Sequence, residues 1–473
     1  MAEGRRGTTI GGKRTDALRW LALGAVVLGT LASASTASAF VYVVDQGAGA
    51  VSQFSGGAFG ALSPLAPPTI ATAGNTPTGI ALSPNGEHAY VTELSGGSVY
   101  QYAIATGGAL SPMSTPTIAA GSAPFAVAVS PNGESVYVTS RDSDTISQFH
   151  VMPDGALRPL STPTVIAGEQ LSGLAISPSG ESVYVTSEIG NDVWQYNVGP
   201  HGALSPMSVA TVATGAVPLG VAVSPDGASV YVVDDAGGTI SQYNVGSGGE
   251  LAPKPTATVA DTGGDPYYVA VSPNGRNVYV SNYTGDSVSQ YRAGAHGALR
   301  PLGVPTVAAG VYPFDIALSP NGLNAYVTNL GSGTISQYDV APGGELLPKG
   351  VPTATTGYHP AGVAIAWVPT HLVTHPLKLG GALEASATLT VSSTGAPVAG
   401  VKLRFLLDRG ELCSARTDAA GTATCTPKRA VLIPIAPPPR YRAVFAGNAD
   451  YAPSHDRGRL VQPCFGICIH KIG

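Results

Sequence analysis

A segment of about 47 residues recurs along most of this chain, and that recurrence limits the fold more than any other feature. A Ser-Pro-X-Gly turn begins at Ser83, Ser130, Ser177, Ser224, Ser272 and Ser319, at intervals of 47, 47, 47, 48 and 47 residues. A Tyr-Val pair follows each turn, at Tyr90, Tyr137, Tyr184, Tyr231, Tyr279 and Tyr326, and a seventh stands at Tyr42. A Gln-aromatic pair comes next in all seven units, from Gln53-Phe54 to Gln337-Tyr338. A Gly-(Ala/Glu)-Leu element closes each, from Gly60 to Gly344. Periods of this length belong to stacked or radial repeats.

Each unit holds four short β-patterned runs. In one they are Phe125–Ser130, Ser135–Thr139, Thr145–His150 and Leu157–Ile166. The first is small and apolar, as a crowded inner strand requires. Pro131-Asn132-Gly133 makes the hairpin turn after it, where Asn-Gly accepts positive φ. The next two runs are β-branched and aromatic, which suits strands. The fourth carries prolines such as Pro163, Pro305 and Pro352, which belong on an edge strand because proline cannot donate to a ladder. Four strands ending on an edge describe a propeller blade. The region opens at a second strand, Phe40–Asp45, and ends with a lone first strand, Ala361–Ala366. These two pieces complete one blade shared by both ends of the region.

The expected fold is therefore all-β: a seven-bladed β-propeller over 40–368, a linker at 369–375, an Ig-like β-sandwich over 376–462 and a Cys-containing tail at 463–473. Composition agrees, with Gly 61, Pro 39 and only 11% charged residues; glycine and proline break helices. Residues 1–39 read as a signal peptide, with a basic start, an apolar run from Trp20 to Ala32 and Ala37-Ser38-Ala39 before the cleavage point. That run is short for a span, and no later one approaches membrane length. The expected location is extracellular or on the cell surface. Residues 40–370 carry 7 Lys+Arg against 21 Asp+Glu, and 371–473 carry 12 against 6. An acidic propeller region argues against nucleic acid. The expected partners are a carbohydrate or a cell-envelope component.

Tyr326-Val327-Thr328-Asn329 and Tyr279-Val280-Ser281-Asn282 resemble the YVTN-type propeller repeat. The Gly-Ala-Leu-Ser-Pro and Ser-Gln-Tyr elements are similar to the lactonase-type seven-bladed propellers, which include bacterial 6-phosphogluconolactonase and carboxymuconate lactonising enzymes. Glu188-Ile189-Gly190-Asn191-Asp192 resembles an Asp-Leu-Gly-X-Asp stretch of that group, with Glu in place of the first Asp. Leu171-Ser172-Gly173-Leu174 stands where such members carry a His. Gly395–Val401 and Phe445–Tyr451 look like bacterial Ig-like repeats.

Loops entering first strands and leaving second strands should gather at one face of the ring. Ligand-binding candidates there are Glu93, Glu188, Asp234, Asp265, Tyr267, Tyr268, Asn282, Phe314 and Asn329. Such an oxygen-rich rim could hold calcium, or its side chains could serve turns at strand ends; no metal ligand or cofactor is assigned. Catalytic candidates are His359 or Asp315 as a base and Arg141 as an electrophile, because lactone hydrolysis needs both. The four cysteines lie in the C-terminal part. Cys413 and Cys425 flank Thr417–Gly421, a hairpin turn that would set them opposite one another as a cross-strand disulfide. Cys464 and Cys468 could close a small loop. The leader, the added sandwich and the missing His favour a non-enzymatic binding or scaffold protein. The alternative is an extracytoplasmic lactonase.

Overall fold

The computed structural model describes residues 39–57, 60–72 and 74–367, then 370–375, 378–380, 382–391, 397–407, 410–426, 432–433, 441–445, 454–458 and 468–469. The expected signal peptide, apart from Ala39, lies outside the described residues, as does Cys464. Among the described residues no helix is long and apolar enough to cross a membrane.

Seven four-stranded antiparallel sheets form the propeller. In the unit analysed above the strands are Pro124–Val129, Ser135–Ser140, Thr145–Val151 and Leu157–Ile166, within a residue or two of expectation. The closing blade is shared: Pro360–Trp367 pairs with Ala39–Asp45, which continues into Ala50–Gly56 and Leu62–Ala71. At the Ser-Pro-X-Gly turn only the glycine takes positive φ, Gly133 at 77°. The asparagine stays right-handed, and its Oδ1 instead accepts from Ser130 Oγ at 2.6 Å.

The repeated residues are the fasteners between blades. Each tyrosine of a Tyr-Val pair donates its hydroxyl to the glycine carbonyl of the next blade, as in Tyr42 to Gly108 and Tyr279 to Gly344. Tyr326 to Gly60, at 2.6 Å, closes the circle. Each glutamine donates to its own outer strand across a bulge and accepts a leucine N–H from the next blade. Gln195, for example, donates to the Val209 carbonyl and accepts from the Leu251 amide. Valines beside these tyrosines, such as Val41, Val138 and Val280, are wholly buried between sheets. Burying one such side chain contributes about 1.5–3 kcal/mol.

Inner strands crowd the axis, and that dictates their composition. Their third positions are Gly79, Ala126, Gly173, Gly220, Tyr268, Asp315 and Gly362. A Cβ at Gly173 would stand 2.4 Å from the Leu219 carbonyl oxygen, and one at Gly362 would stand 2.7 Å from that of Thr78. Tyr268 and Asp315 are thus the two places where a long side chain occupies this ring of positions.

The C-terminal part is a β domain with its own core. One sheet contains Thr370–Thr374, Ala382–Val391 and Thr422–Cys425; another contains Gly410–Arg416, Lys402–Leu407, Tyr441–Phe445 and Ser454–Gly458. Leu372, Leu389, Leu403, Phe405 and Phe445 share its core. The segment expected as a linker, 369–375, contains the strand Thr370–Thr374, because its Leu372 is part of that core. Cys413 and Cys425 form a disulfide, but they are not paired within a hairpin. Cys413 is in register with Phe405 and Cys425 with Ala385. The Thr417–Gly421 turn carries the chain from one sheet to the other, so the bond joins the sheets.

Candidate functional site at the channel mouth

The mouth is built from two backbone positions repeated around the ring. One precedes each inner strand: Thr76, Ala123, Gln170, Val217, Asp265, Tyr312 and His359. The other follows each second strand: Gln46, Leu94, Arg141, Glu188, Asp235, Tyr283 and Leu330. Each carbonyl of the first set accepts the N–H of the second, as in Arg141 to Ala123 and Tyr283 to Asp265. Six residues of the first set, all but Thr76, have φ between 51° and 56°. Because five further blades share Tyr312's left-handed conformation, it belongs to the repeat rather than to that residue alone.

Charged and aromatic side chains from five consecutive blades meet at the mouth. Both Glu188 carboxylate oxygens lie 2.8 Å from Arg141 Nη2. The guanidinium also sits 4.9 Å from the centre of the Phe125 ring. Burial pushes the Glu188 carboxyl up, while Arg141 and a hydrogen bond from Ser172 hold it down and Asp235 raises it further. Asp235 is pushed up by burial and by the charge of Asp265. Asp265 accepts a hydrogen bond from Thr284. Tyr267, Tyr268 and Phe314 pack at ring-centre separations of 4.6 to 5.7 Å.

Asp315 lies on the inner strand Pro313–Leu318 and is half-buried. Its Oδ2 accepts the Val363 N–H at 2.9 Å and its Oδ1 that of Ile316 at 2.7 Å. Burial outweighs both bonds and lifts its pKa to about 6. Asp315, Arg141 and Glu188 all bear electrostatically on the hydroxyl of the half-buried Tyr268, whose pKa desolvation raises most. Each of the three thus lies within electrostatic reach of that one hydroxyl. His359 precedes the inner strand whose Val363 bonds to Asp315. Its ring stacks on Tyr358 with centres 3.7 Å apart, and it makes no hydrogen bond to Asp315 or Arg141 among the described residues.

Four ligand-binding candidates have a different place. Glu93, Asp234, Asn282 and Asn329 are fully buried. Glu93 Oε1 accepts from the Thr76 amide and hydroxyl. Asp234 accepts from Thr239 and Ser241, Asn282 is hydrogen-bonded to Ser287 and Ser289, and Asn329 is hydrogen-bonded to Thr334 and Ser336. As last residues of second strands, they turn toward neighbouring strands and loops instead of the mouth. Arg141, Glu188 and Asp235, which the repeat places directly after three of the second-strand ends, occupy the mouth, and so does Tyr283, which was not among the expected residues. Among the described residues no three His, Cys, Asp or Glu side chains converge as a metal site requires.

Fold and mouth define a seven-bladed propeller with a charged and aromatic opening at one end. The profile of the lactonase, seven-bladed beta-propeller family matches residues 32–216 and 199–360, and the chain belongs to that family. Solved structures share the fold. A candidate 6-phosphogluconolactonase from Bacteroides fragilis is 18% identical, with a TM-score of 0.62 over 71% of this chain and 99% of that one. Another from Bacteroides uniformis is 20% identical, with a TM-score of 0.62 over 70% and 100%. A protein named periplasmic gluconolactonase from Pseudomonas aeruginosa is 20% identical, with a TM-score of 0.60 over 70% and 99%. No curated protein matches the chain in sequence. The expectation of a non-enzymatic binding or scaffold protein is overturned by this family membership. The absent His that motivated it is no obstacle, since the mouth supplies a carboxylate and a guanidinium without it.

Proposed function

We propose that the protein is a lactone hydrolase acting outside the cytoplasm on uncharged sugar lactones. The observation that carries this reading is that Asp315 and the paired Arg141 and Glu188 all lie within electrostatic reach of Tyr268, in a chain of the lactonase family. Asp315, with its pKa lifted to about 6, is ionised at neutral pH and basic enough to take a proton from water. The water oxygen bonds to the lactone carbonyl carbon, and Arg141 stabilises the negative charge that develops on the carbonyl oxygen. Collapse breaks the bond between the acyl carbon and the ring oxygen. Asp315 returns its proton to that oxygen, leaving a hydroxy acid. Glu188 positions Arg141.

Glu188, Asp235, Asp265 and Asp315 outnumber Arg141, so the mouth disfavours a phosphorylated substrate and suits a neutral one. The leader pattern and a disulfide, which persists in oxidising compartments, support export. The C-terminal domain acts in this account as an Ig-like spacer. A panel of γ- and δ-lactones, with and without a phosphate, tests the reading. Turnover of unphosphorylated sugar lactones should rise with pH to half its maximum near pH 6 and fall at least about a hundredfold in Asp315→Asn. No turnover of any lactone, or full activity in Asp315→Asn, would overturn it.

A further inference from the structure

A chain of aromatic rings runs from Phe314, buried on an inner strand, to Tyr312, exposed at the mouth. Phe314 lies 4.6 Å from Tyr267, Tyr267 lies 5.3 Å from Tyr283, and Tyr283 lies 4.9 Å from Tyr312, all between ring centres. The last two rings are nearly parallel, at 11°. Exposure increases along the chain, from Phe314 at 8% to Tyr312 at 43%. A purely structural aromatic cluster would end in the core, whereas this one ends in solvent.

The hydroxyls make a second, independent point. All seven tyrosines of the Tyr-Val pairs donate to a backbone carbonyl. Among the described residues no hydroxyl of Tyr267, Tyr268, Tyr283 or Tyr312 makes a hydrogen bond, and none of the four is sealed away without a partner. They are left to water or to a ligand. Tyr312 is also held in place, because its N–H donates to Asp286 at 3.0 Å and its carbonyl accepts from Leu330 at 2.9 Å. A ring fixed at its backbone loses little freedom when something stacks on it.

We propose that Tyr283 and Tyr312 form a saccharide subsite beside the reaction centre, so that the substrate is the lactone end of a disaccharide or longer saccharide. This rests on the lactonase reading. The lactone ring occupies the mouth between Arg141 and Asp315, and the next pyranose lays its C–H face on the exposed tyrosine. Asp265 and the free hydroxyls accept or donate hydrogen bonds to the sugar. A single sugar lactone would occupy the reaction centre between Arg141 and Asp315 and leave Tyr312 bare.

The test compares cellobionolactone with gluconolactone, and adds calorimetric titration with cellobionic acid, which is not hydrolysed. The disaccharide lactone should have a kcat/KM about tenfold higher, as one stacked ring would give. Tyr312→Ala should bring the ratio toward one, and Tyr312→Phe should keep it. Turnover with equal kcat/KM for both, or a ratio unchanged in Tyr312→Ala, would overturn the subsite and leave the lactonase reading standing. Cellobionic acid binding that is lost in Tyr312→Ala, with no turnover of either lactone, would support the subsite and overturn the lactonase reading. Neither binding nor turnover would overturn both.

Discussion

Asp45 and Asn329 occupy the same place in different blades, and the comparison shows what a buried carboxylate does there. Asn329 accepts the Gly310 N–H and is bonded to Thr334 and Ser336. Asp45 accepts from Ser52 and from the Gly357 amide. Burial nevertheless lifts the Asp45 pKa to about 6. A carboxyl raised above its unfolded value is most favourable to folding at low pH. Stability is then lost as the pH rises from about 4 through 6. Asp45→Asn should therefore raise stability at pH 7.5 by on the order of 1–3 kcal/mol and leave it nearly unchanged at pH 4. Urea unfolding at the two pH values checks this, and a variant less stable at pH 7.5 would contradict it. The repeat made this position visible in the sequence. Which way the side chain turns was not visible, because that depends on the strand's final register with its neighbour.

The elements themselves were largely legible, since each blade strand has a signature residue at a fixed offset. What a signature residue does was harder to see. Gln195 reads as an ordinary polar residue before an aromatic, yet it joins two blades and is wholly buried. Gln195→Ala should leave the Leu251 N–H without an acceptor and cost about 1–3 kcal/mol, measurable by chemical denaturation; an unchanged midpoint would argue against the staple. In the C-terminal domain the strand runs and the Cys413–Cys425 bond were legible, but their sheet assignment was not. A turn flanked by two strands looks the same in sequence whether the chain folds back or crosses over. Replacing both cysteines by alanine should destabilise this domain by about 3 kcal/mol, as a short crosslinked loop implies, and separate unfolding of the two domains would show it.

For the whole molecule, closure of the ring is what holds the mouth together. Arg141, Glu188, Asp235, Asp265 and Asp315 come from different blades, so their meeting depends on every inter-blade bond between them. The sequence showed that the mouth was aromatic and acidic. It did not show that His359 stacks on Tyr358, since a side chain's neighbours across a loop are not written in any one repeat. Ending the chain after Thr355 would remove Pro360–Trp367, the inner strand of the shared blade. The Asp315 bond to Val363 would go with it. Such a chain should lose cooperative unfolding, and a normal melting transition would contradict closure by that strand.

The central claim is that this mouth hydrolyses lactones, and the rate of gluconolactone opening by the intact chain and by Arg141→Gln tests it most directly. The account predicts opening well above the spontaneous rate, reduced about a hundredfold or more in the variant with its melting temperature little changed. A wild-type rate no faster than spontaneous opening, or an undiminished rate in Arg141→Gln, would contradict it.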